Sequence, residues 1–316
     1  MTVVAAAPTA TVVVVARDRW AQAPGTLDTL LARTDPRHNV VIVDGGASPG
    51  VANELDARAN GRLRVRRTGR FLGSNEARNV GADGARSEWI AFVENDTVLS
   101  DGWLEVLLGT GERLDAHSVY PVYLEPRSTG PVVHGLGRDL EFYGEEGARH
   151  VREVGRHVGR PWAEVSDTTE LAQRVQAEPH AIVVRRAFLE RIGGLDEGLM
   201  GWFEHVDLAL HHVRHNASAW VVPDVTCTYL MPPPVAPSDL RNFSLRWGKS
   251  LYDASLRHLC ATWGLDPSSP EWNAHDSYRR AVRRRALHRA GRLRGAVERM
   301  AAPVDRVVAR RWTAGR

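Results

Sequence analysis

The sequence predicts an α/β protein whose core is an open, mostly parallel sheet with flanking helices. Short apolar, β-branched runs, typical of parallel strands buried on both faces, occur at Thr11–Ala16, Val40–Val43 and Trp89–Val93, and a less apolar strand is predicted at Leu63–Arg67. Segments with helical periodicity separate them, at Pro24–Arg33, 50–60 and 74–86. Strands that alternate with helices at this spacing indicate βαβ units.

The second half of the sequence is less regular. Glycine, proline and charged residues are scattered between about 112 and 177, where we expect meandering strands and loops. Regular segments then return as strands at Ala181–Val184 and Trp220–Val222, and as helices at 204–215, 239–263 and 275–300. Proline cannot continue a strand ladder, so Met231–Pro234 marks the end of the α/β unit. We therefore predict an α/β domain over 1–232 and a helical, arginine-rich C-terminal extension over 233–316.

Composition is that of an ordinary globular protein with a basic tail. The chain has 316 residues, 43% of them hydrophobic, and a net charge of +3. Cys227 and Cys260 are too few for a disulfide framework, so we interpret them as buried free thiols in a reducing compartment. The apolar stretch Met1–Ala16 lacks the basic start of a signal peptide and is shorter than a membrane span. We expect a cytoplasmic protein.

The tail allows three interpretations. Residues 278–316 carry 13 arginines against Glu298 and Asp305, a net charge of +11, so residues 1–277 sum to −8. A helix of this kind can pack on the acidic body or on a second copy of the chain, lie on an anionic membrane surface, or bind nucleic acid. No other segment argues for nucleic acid. Packing on the body or homo-oligomer contact is favoured, with peripheral membrane contact as the alternative.

Acidic side chains follow two of the predicted strands. Asp44 follows the second strand, and Glu94, Asn95 and Asp96 follow the fourth. Open α/β sheets bind ligands at the carboxyl ends of their strands. Two carboxylates with a polar neighbour suit a hard divalent cation that can neutralise a diphosphate. The alternative is a polar turn, which Asn and Asp also favour.

Four features in this order resemble the family 2 glycosyltransferases of the GT-A fold. They are Asp44, the Ala77-Arg-Asn-x-Gly81 element, Glu94-x-Asp96, and the segment from Phe203 to Asp207. The resemblance covers roughly residues 10–230. It implies a Rossmann-like GT-A sheet and an inverting single displacement, in which a sugar moves from a UDP- or dTDP-linked donor to a hydroxyl acceptor.

The resemblance also implies which residues bind the donor. Those expected at the nucleotide are Ala16, Arg17, Asp44, Arg78, Asn79 and Glu94. Asp96 is expected to hold Mg²⁺ or Mn²⁺, which would bridge the two phosphates. Many such enzymes take a further metal ligand from a histidine after the late strand, where this chain offers Tyr229 and no histidine.

A general base is expected where the family places a Glu-Asp pair at the start of a helix. The second position of that pair is His205 here, and a histidine titrates near working pH. Glu204 is the competing candidate. Asp207 is the third, although negative charge near a helix N-terminus also suits a structural bond.

Two functions therefore remain open. The first is the transferase described above, acting on a saccharide, lipid-linked or natural-product hydroxyl. The alternative is a non-catalytic nucleotide-sugar-binding or scaffold protein on the same fold, suggested by Asn95, by His205 and by the missing histidine ligand.

Overall fold

A mixed sheet forms the centre of the molecule. The structure, a computed structural model, describes residues 9–145, 148–230 and 235–288. Within them the strands are β1 (Ala10–Val15), β2 (Asn39–Asp44), β3 (Leu63–Arg67), β4 (Trp89–Glu94), β5 (Thr97–Leu99), β6 (Ser118–Glu125), β7 (Val132–Gly135), β8 (Arg138–Tyr143), β9 (His150–Gly155), β10 (Ala172–Gln173), β11 (Ala181–Arg185) and β12 (Ala219–Tyr229). The helices are α1 (Ala23–Ala32), α2 (Pro49–Arg58), α3 (Ser74–Ala82), α4 (Trp103–Arg113), α5 (Arg186–Arg191), α6 (Glu204–Arg214), α7 (Leu240–Arg246), α8 (Lys249–Trp263) and α9 (Glu271–His288).

One half of the sheet is parallel, with the order β4-β1-β2-β3. All six residues of β1 are buried, as its unbroken apolar run predicts. Val15 at the end of β1 lies opposite Glu94 of β4 and Val43 of β2. The register therefore brings the carboxyl ends of these three strands to one edge of the sheet, as expected.

The other half of the sheet contains antiparallel pairing, which the sequence analysis did not predict although it predicted strands at Ala181–Val184 and Trp220–Val222. β11 runs antiparallel to β4 and to β6, while β6 and β12 are parallel. A strand buried on both faces has the same apolar pattern in either direction, so the sequence could not give the direction of β11. Ala181 lies opposite Val93, which places His180 beside Glu94. The predicted α/β fold is confirmed, although parallel pairing is confined to part of the sheet.

Close packing of α3 on the parallel strands explains one motif glycine. A Cβ on Gly81 would lie 2.1 Å from Val13 Cγ1 and 3.0 Å from Val43 Cγ2. Only a residue without a side chain allows α3 this near to β1 and β2. The helix carries Arg78 on the same approach, and that side chain is buried.

The C-terminal helices build a second core against the α/β part. Trp202, Phe203 and Val206 pack with residues of α7, α8 and α9 in one buried apolar cluster. The predicted helical region 239–263 is broken at Trp247 and Gly248, and the predicted helix 275–300 begins earlier, at Glu271. Part of that helix, with most of the arginine-rich tail and the Met231–Pro234 segment, lies outside the described residues.

Contacts of the described part of the tail are with the body of the chain. Arg279 of α9 is buried and donates to the Trp247 carbonyl oxygen at 2.8 Å. The domain boundary at 232 and the role of the remaining tail arginines stay predictions. Among the residues that the structure describes, no helix is long and apolar enough to cross a lipid bilayer.

Candidate active site

Glu94 is the centre of a buried ion cluster at the end of β4. Its Oε1 accepts from Arg78 Nη2 at 2.9 Å, and its Oε2 accepts from Arg17 Nη2 at 2.6 Å and lies 2.8 Å from His180 Nδ1. Burial alone would raise the pKa of Glu94, but Arg17, His180 and Arg78 outweigh it and hold that pKa below its usual range. Glu94 is therefore an ionised carboxylate with both oxygens engaged.

Asp96 keeps one carboxylate oxygen without a protein partner. Its Oδ2 accepts from Arg19 Nη1 at 3.0 Å, whereas Oδ1 is buried and has no hydrogen bond. Burial raises the pKa of Asp96 against the opposing charge of Arg19, and the nearby charge of Glu94 raises it further. A cation at Oδ1 would stabilise the ionised form, so Asp96 fits the metal ligand that the sequence predicts.

Asn95 holds the loop after β1. Its Nδ2 donates to the Arg19 carbonyl oxygen at 2.5 Å, and its backbone N–H donates to the Val15 carbonyl oxygen at 3.1 Å. Thr26 Oγ1 donates to the Asn95 carbonyl oxygen at 2.5 Å. The amide between the two acids thus fixes the loop that carries Arg17 and Arg19. We call Glu94, Asp96, Arg17, Arg19 and Arg78 the arginine side of the site.

Asp44 binds the turn that follows β2 and the neighbouring strand β3. Asp44 Oδ1 accepts from the N–H groups of Gly46 and Ala47 at 3.0 and 2.8 Å, and Oδ2 accepts from Arg67 Nε at 3.0 Å. These bonds are typical of an aspartate that stabilises a turn. Asp44 nevertheless lies at the same edge of the sheet as Glu94.

The Asn79 amide is bound to the loop before α6. Its Nδ2 donates to the Leu195 carbonyl oxygen and its Oδ1 accepts from the Leu195 N–H, at 2.8 and 3.0 Å. Asn79 therefore positions that loop. Nucleotide contacts of Asp44 and Asn79 gain no support from these bonds and stay predictions.

A cavity of about 280 Å³ opens beside the arginine side. Arg17, Glu204, His205, His180 and Tyr229 are among its lining residues. Neither Asp44 nor Asp96 is among them; Asp96 is bound to Arg19, whose Nη2 lies 3.5 Å from the hydroxyl oxygen of Tyr229. Helix α9 also contributes to the cavity wall. Of the predicted site residues, Arg17, Glu204 and His205 therefore meet at this cavity, whereas Asp44 is not part of its lining.

The three candidate bases differ sharply in their surroundings. Glu204 is buried, and its Oε1 has no hydrogen bond and lies 3.9 Å from Arg78 Nη1. His205 Nε2 lies 3.2 Å from Glu153 Oε1. Burial would lower the pKa of His205, but its hydrogen bond and ion pair with Glu153 raise it, so the protonated form is favoured.

Asp207 is turned away from the cavity. Its Oδ1 accepts from Trp263 Nε1 of α8 at 2.8 Å. Burial raises the pKa of Asp207 to about 7, although the Trp263 hydrogen bond lowers it. This is the structural bond that the sequence analysis weighed for Asp207, and it ties α6 to α8.

Four histidines also line this cavity, and the sequence analysis identified only His205 among them. We call His134, His180, His205 and His275 the histidine side. The ligand atoms of His180, Glu94 and Asp96 lie within 4.8 Å of one another. A histidine is thus present near the acidic motif, but it precedes β11, whereas the sequence analysis looked after the last strand. Knowledge that β11 pairs antiparallel with β4 would have identified His180, because this register places it beside Glu94.

Comparison with known proteins agrees with this geometry. A family model described as Glycosyl transferase family 2 matches residues 11–154, the segment that contains β1, β4 and the arginine side. This segment of the chain is therefore similar to that family. The probable N-acetylgalactosaminyltransferase 7 of Caenorhabditis elegans is 27% identical over 214 residues, 62% of this chain and 34% of that protein. The chain therefore spans about a third of the length of that relative.

Two solved structures share the GT-A fold with this chain. GalNAc-T7 with UDP, GalNAc and Mn²⁺ superposes with a TM-score of 0.56 and 16% identity, over 88% of this chain and 55% of that chain. Mannosyltransferase PcManGT from Pyrobaculum calidifontis, with GDP-Man and Mn²⁺, gives 0.55 and 16%, over 98% and 84%. The likeness extends past the family match and includes the mixed half of the sheet.

Proposed function

We propose that the chain is a glycosyltransferase that moves a sugar from a UDP- or dTDP-linked donor to a hydroxyl acceptor by single displacement with inversion. The observation that carries the proposal is the shared cavity: Arg17 of the arginine side and Glu204 with its free carboxylate oxygen both line it. A cationic group for a diphosphate thus stands in the same cavity as a group that can accept a proton.

Donor binding is assigned to the arginine side. The positive charges of Arg17 and Arg19 would bind the diphosphate. Ala16 and Asp44, at the carboxyl ends of β1 and β2, would contact the nucleoside. Asp96 Oδ1 would hold a divalent cation, with Glu94 and His180 nearby. Such a cation supplies neutralisation of the charge that develops on the leaving nucleoside diphosphate.

Glu204 is the proposed general base. A base needs an oxygen or nitrogen free to accept the proton of the acceptor hydroxyl, and Glu204 Oε1 is buried in the cavity wall without a hydrogen bond, 3.9 Å from Arg78 Nη1. His205 is bound to Glu153 and is held toward its protonated form, which cannot accept a proton. We therefore assign His205 to orienting the start of α6.

Donor turnover tests the proposal directly. Release of nucleoside diphosphate from UDP-, dTDP- and GDP-sugars is measured with Mn²⁺ or Mg²⁺, in wild type and in Asp96→Ala. We expect metal-dependent release from a uridine or thymidine donor, reduced at least 100-fold by the substitution, because one oxyanion-stabilising group is worth about that much. Asp101→Ala is the matched control, since Asp101 is exposed and pairs only with Arg33 among the described contacts.

Two other outcomes would change the assignment. Preference for a GDP-sugar would overturn the donor base but leave the reaction class. Tight nucleotide binding without turnover, on saccharide, lipid-linked and natural-product acceptors alike, would favour the non-catalytic binding protein, for which the full engagement of both Glu94 oxygens is the supporting observation.

A further inference from the structure

Two histidine rings face each other at the cavity wall. His134 lies on β7 and His180 directly before β11, 46 residues apart in the chain. Their Nε2 atoms are 3.3 Å apart, and both residues line the cavity. The function proposed above gives His134 no role and mentions His180 only as a neighbour of the cation at Asp96.

Carboxylates fix the tautomers of both rings. His134 Nδ1 lies 2.8 Å from Glu125 Oε1, and His180 Nδ1 lies 2.8 Å from Glu94 Oε2. An ionised carboxylate only accepts hydrogen bonds, so each Nδ1 carries the ring proton. In the neutral rings both Nε2 atoms then present lone pairs to each other, an arrangement that needs a positive charge between them.

The separation of the two nitrogens matches a shared metal ion. Zinc bonds to imidazole nitrogen are about 2.0–2.1 Å, and tetrahedral geometry then places two such nitrogens roughly 3.3–3.4 Å apart. A histidine that binds metal through Nε2 usually donates its Nδ1–H to a carboxylate, as both rings do here. A third ligand is at hand, because a carboxylate oxygen of Glu178 lies within 4.8 Å of the ligand atoms of His134 and His180.

The charges around the pair also suit a cation. Glu94, Glu125 and Glu178 surround it, and Arg138 Nη2 lies 3.0 Å from Glu178 Oε1. The face toward the cavity is open, which leaves room for a further ligand.

We propose that His134, His180 and Glu178 bind a divalent transition metal of the Zn²⁺ class, with one coordination position open to the cavity. This site is distinct from the oxygen site at Asp96, because two imidazole nitrogens favour zinc-like ions whereas carboxylates alone suit Mg²⁺ or Mn²⁺. Glu94 and Glu125 orient the rings from outside the coordination sphere. The proposal does not depend on the transferase assignment.

A Co²⁺ titration of the full chain tests this site. Protein stripped with a chelator is titrated with Co²⁺ in excess Mg²⁺, which occupies the oxygen site, and the visible absorption of tetrahedral Co²⁺ is followed. We expect one Co²⁺ per chain, displaced by one Zn²⁺. His134→Ala should abolish the band, and Glu125→Gln should weaken binding about 10–100-fold through the loss of ring orientation. Far-UV circular dichroism checks that each variant is folded.

Two control variants locate the site. Asp96→Asn should retain the Co²⁺ band, because Asp96 is not one of the three ligands. His275→Ala should also retain it, since His275 lies in the same cavity but its Nε2 faces Glu153 at 3.1 Å. The proposal is overturned by absence of Co²⁺ and Zn²⁺ binding in folded wild type, which would mean that the rings share a proton. It is equally overturned if the band survives His134→Ala or disappears in Asp96→Asn or His275→Ala.

Discussion

The arginine side and the histidine side of the cavity neutralise their carboxylates in different ways. On the arginine side, Glu94 and Asp96 are paired with guanidinium groups, which stay charged at every pH at which the protein is folded. On the histidine side, Glu153 faces the imidazoles of His205 and His275, with Arg138 as a further partner of Glu153. An imidazole can lose its proton or exchange it for a metal ion.

This difference divides the tasks of the site. Fixed positive charge suits a diphosphate, whose charge also changes little around neutral pH. Imidazoles, which can bind or release a proton or a metal ion, suit steps in which a proton is transferred or a metal ion binds. Helix α6 begins at the junction, where Glu204 faces Arg78 and the next residue, His205, faces Glu153.

The largest expected effect separates these two neighbours. Glu204→Gln should lower kcat about 10²–10⁴-fold, because the proposed base loses its ability to accept a proton. His205→Asn should lower it less than about tenfold, because His205 only orients the helix. Steady-state transfer rates with saturating donor give the comparison. The reverse ranking would move the base to the histidine side and refute our assignment.

Glu94 joins the two sides, and removing its charge should give the largest loss of stability. Glu94→Gln leaves Arg17 and Arg78 buried without their shared partner, which costs about 3–5 kcal/mol for a broken buried pair. Urea unfolding measures the change. Asp101→Asn, at an exposed pair with Arg33, should shift the free energy of unfolding by less than about 1 kcal/mol. Equal effects of the two substitutions would show that the Glu94 cluster is not tightly coupled.

Helix packing beneath the arginine side can be tested at a glycine. Gly81→Ala should destabilise the protein by about 1–3 kcal/mol, because the new Cβ collides with Val13 of β1. Gly109→Ala in α4 meets nothing within 4 Å and should stabilise by up to about 1 kcal/mol. Thermal unfolding of the two variants supplies the measurement, and a neutral Gly81→Ala would argue against this close approach of α3.

The smallest expected effect depends on pH and concerns Asp207, behind the histidine side. Its pKa is raised from 3.8 to about 7, so the unfolded chain loses this proton first and stability falls as pH rises from about 4 to 7. Asp207→Asn keeps an acceptor for Trp263 and cannot ionise. It should be more stable than wild type at pH 8 by on the order of 1 kcal/mol, and similar at pH 4. A stability difference that is the same at both pH values would contradict the raised pKa.

Local pattern predicted the parallel part of the sheet well. The apolar runs of β1, β2 and β4 and the helices between them lie close to their predicted positions, because burial on both faces leaves an unbroken apolar segment. The direction of β11 depends on which neighbour it meets, and nothing in Ala181–Val184 records that. His180 therefore stayed hidden, although its neighbour Glu94 was identified.

Side-chain partners were harder to predict than strand ends. The sequence placed Glu94 and Asp96 correctly at the carboxyl end of β4, but it could not show that arginines from the loop after β1 would pair with them. The pairing depends on the Val15–Glu94 register. The cavity wall built by α9 was also beyond reach, since an arginine-rich helix gives no sign of which surface it will pack against.

The amide of Asn95 has a consequence for anyone who wishes to redesign this loop. The substitution Asn95→Asp would place three acidic residues in a row at the end of β4. An ionised aspartate side chain has no N–H donor, so the 2.5 Å hydrogen bond to the Arg19 carbonyl oxygen would be lost. A carboxylate oxygen would then face that carbonyl oxygen and repel it. This repulsion would destabilise the loop that carries Arg17 and Arg19. We therefore expect Asn95→Asp to weaken binding of a diphosphate.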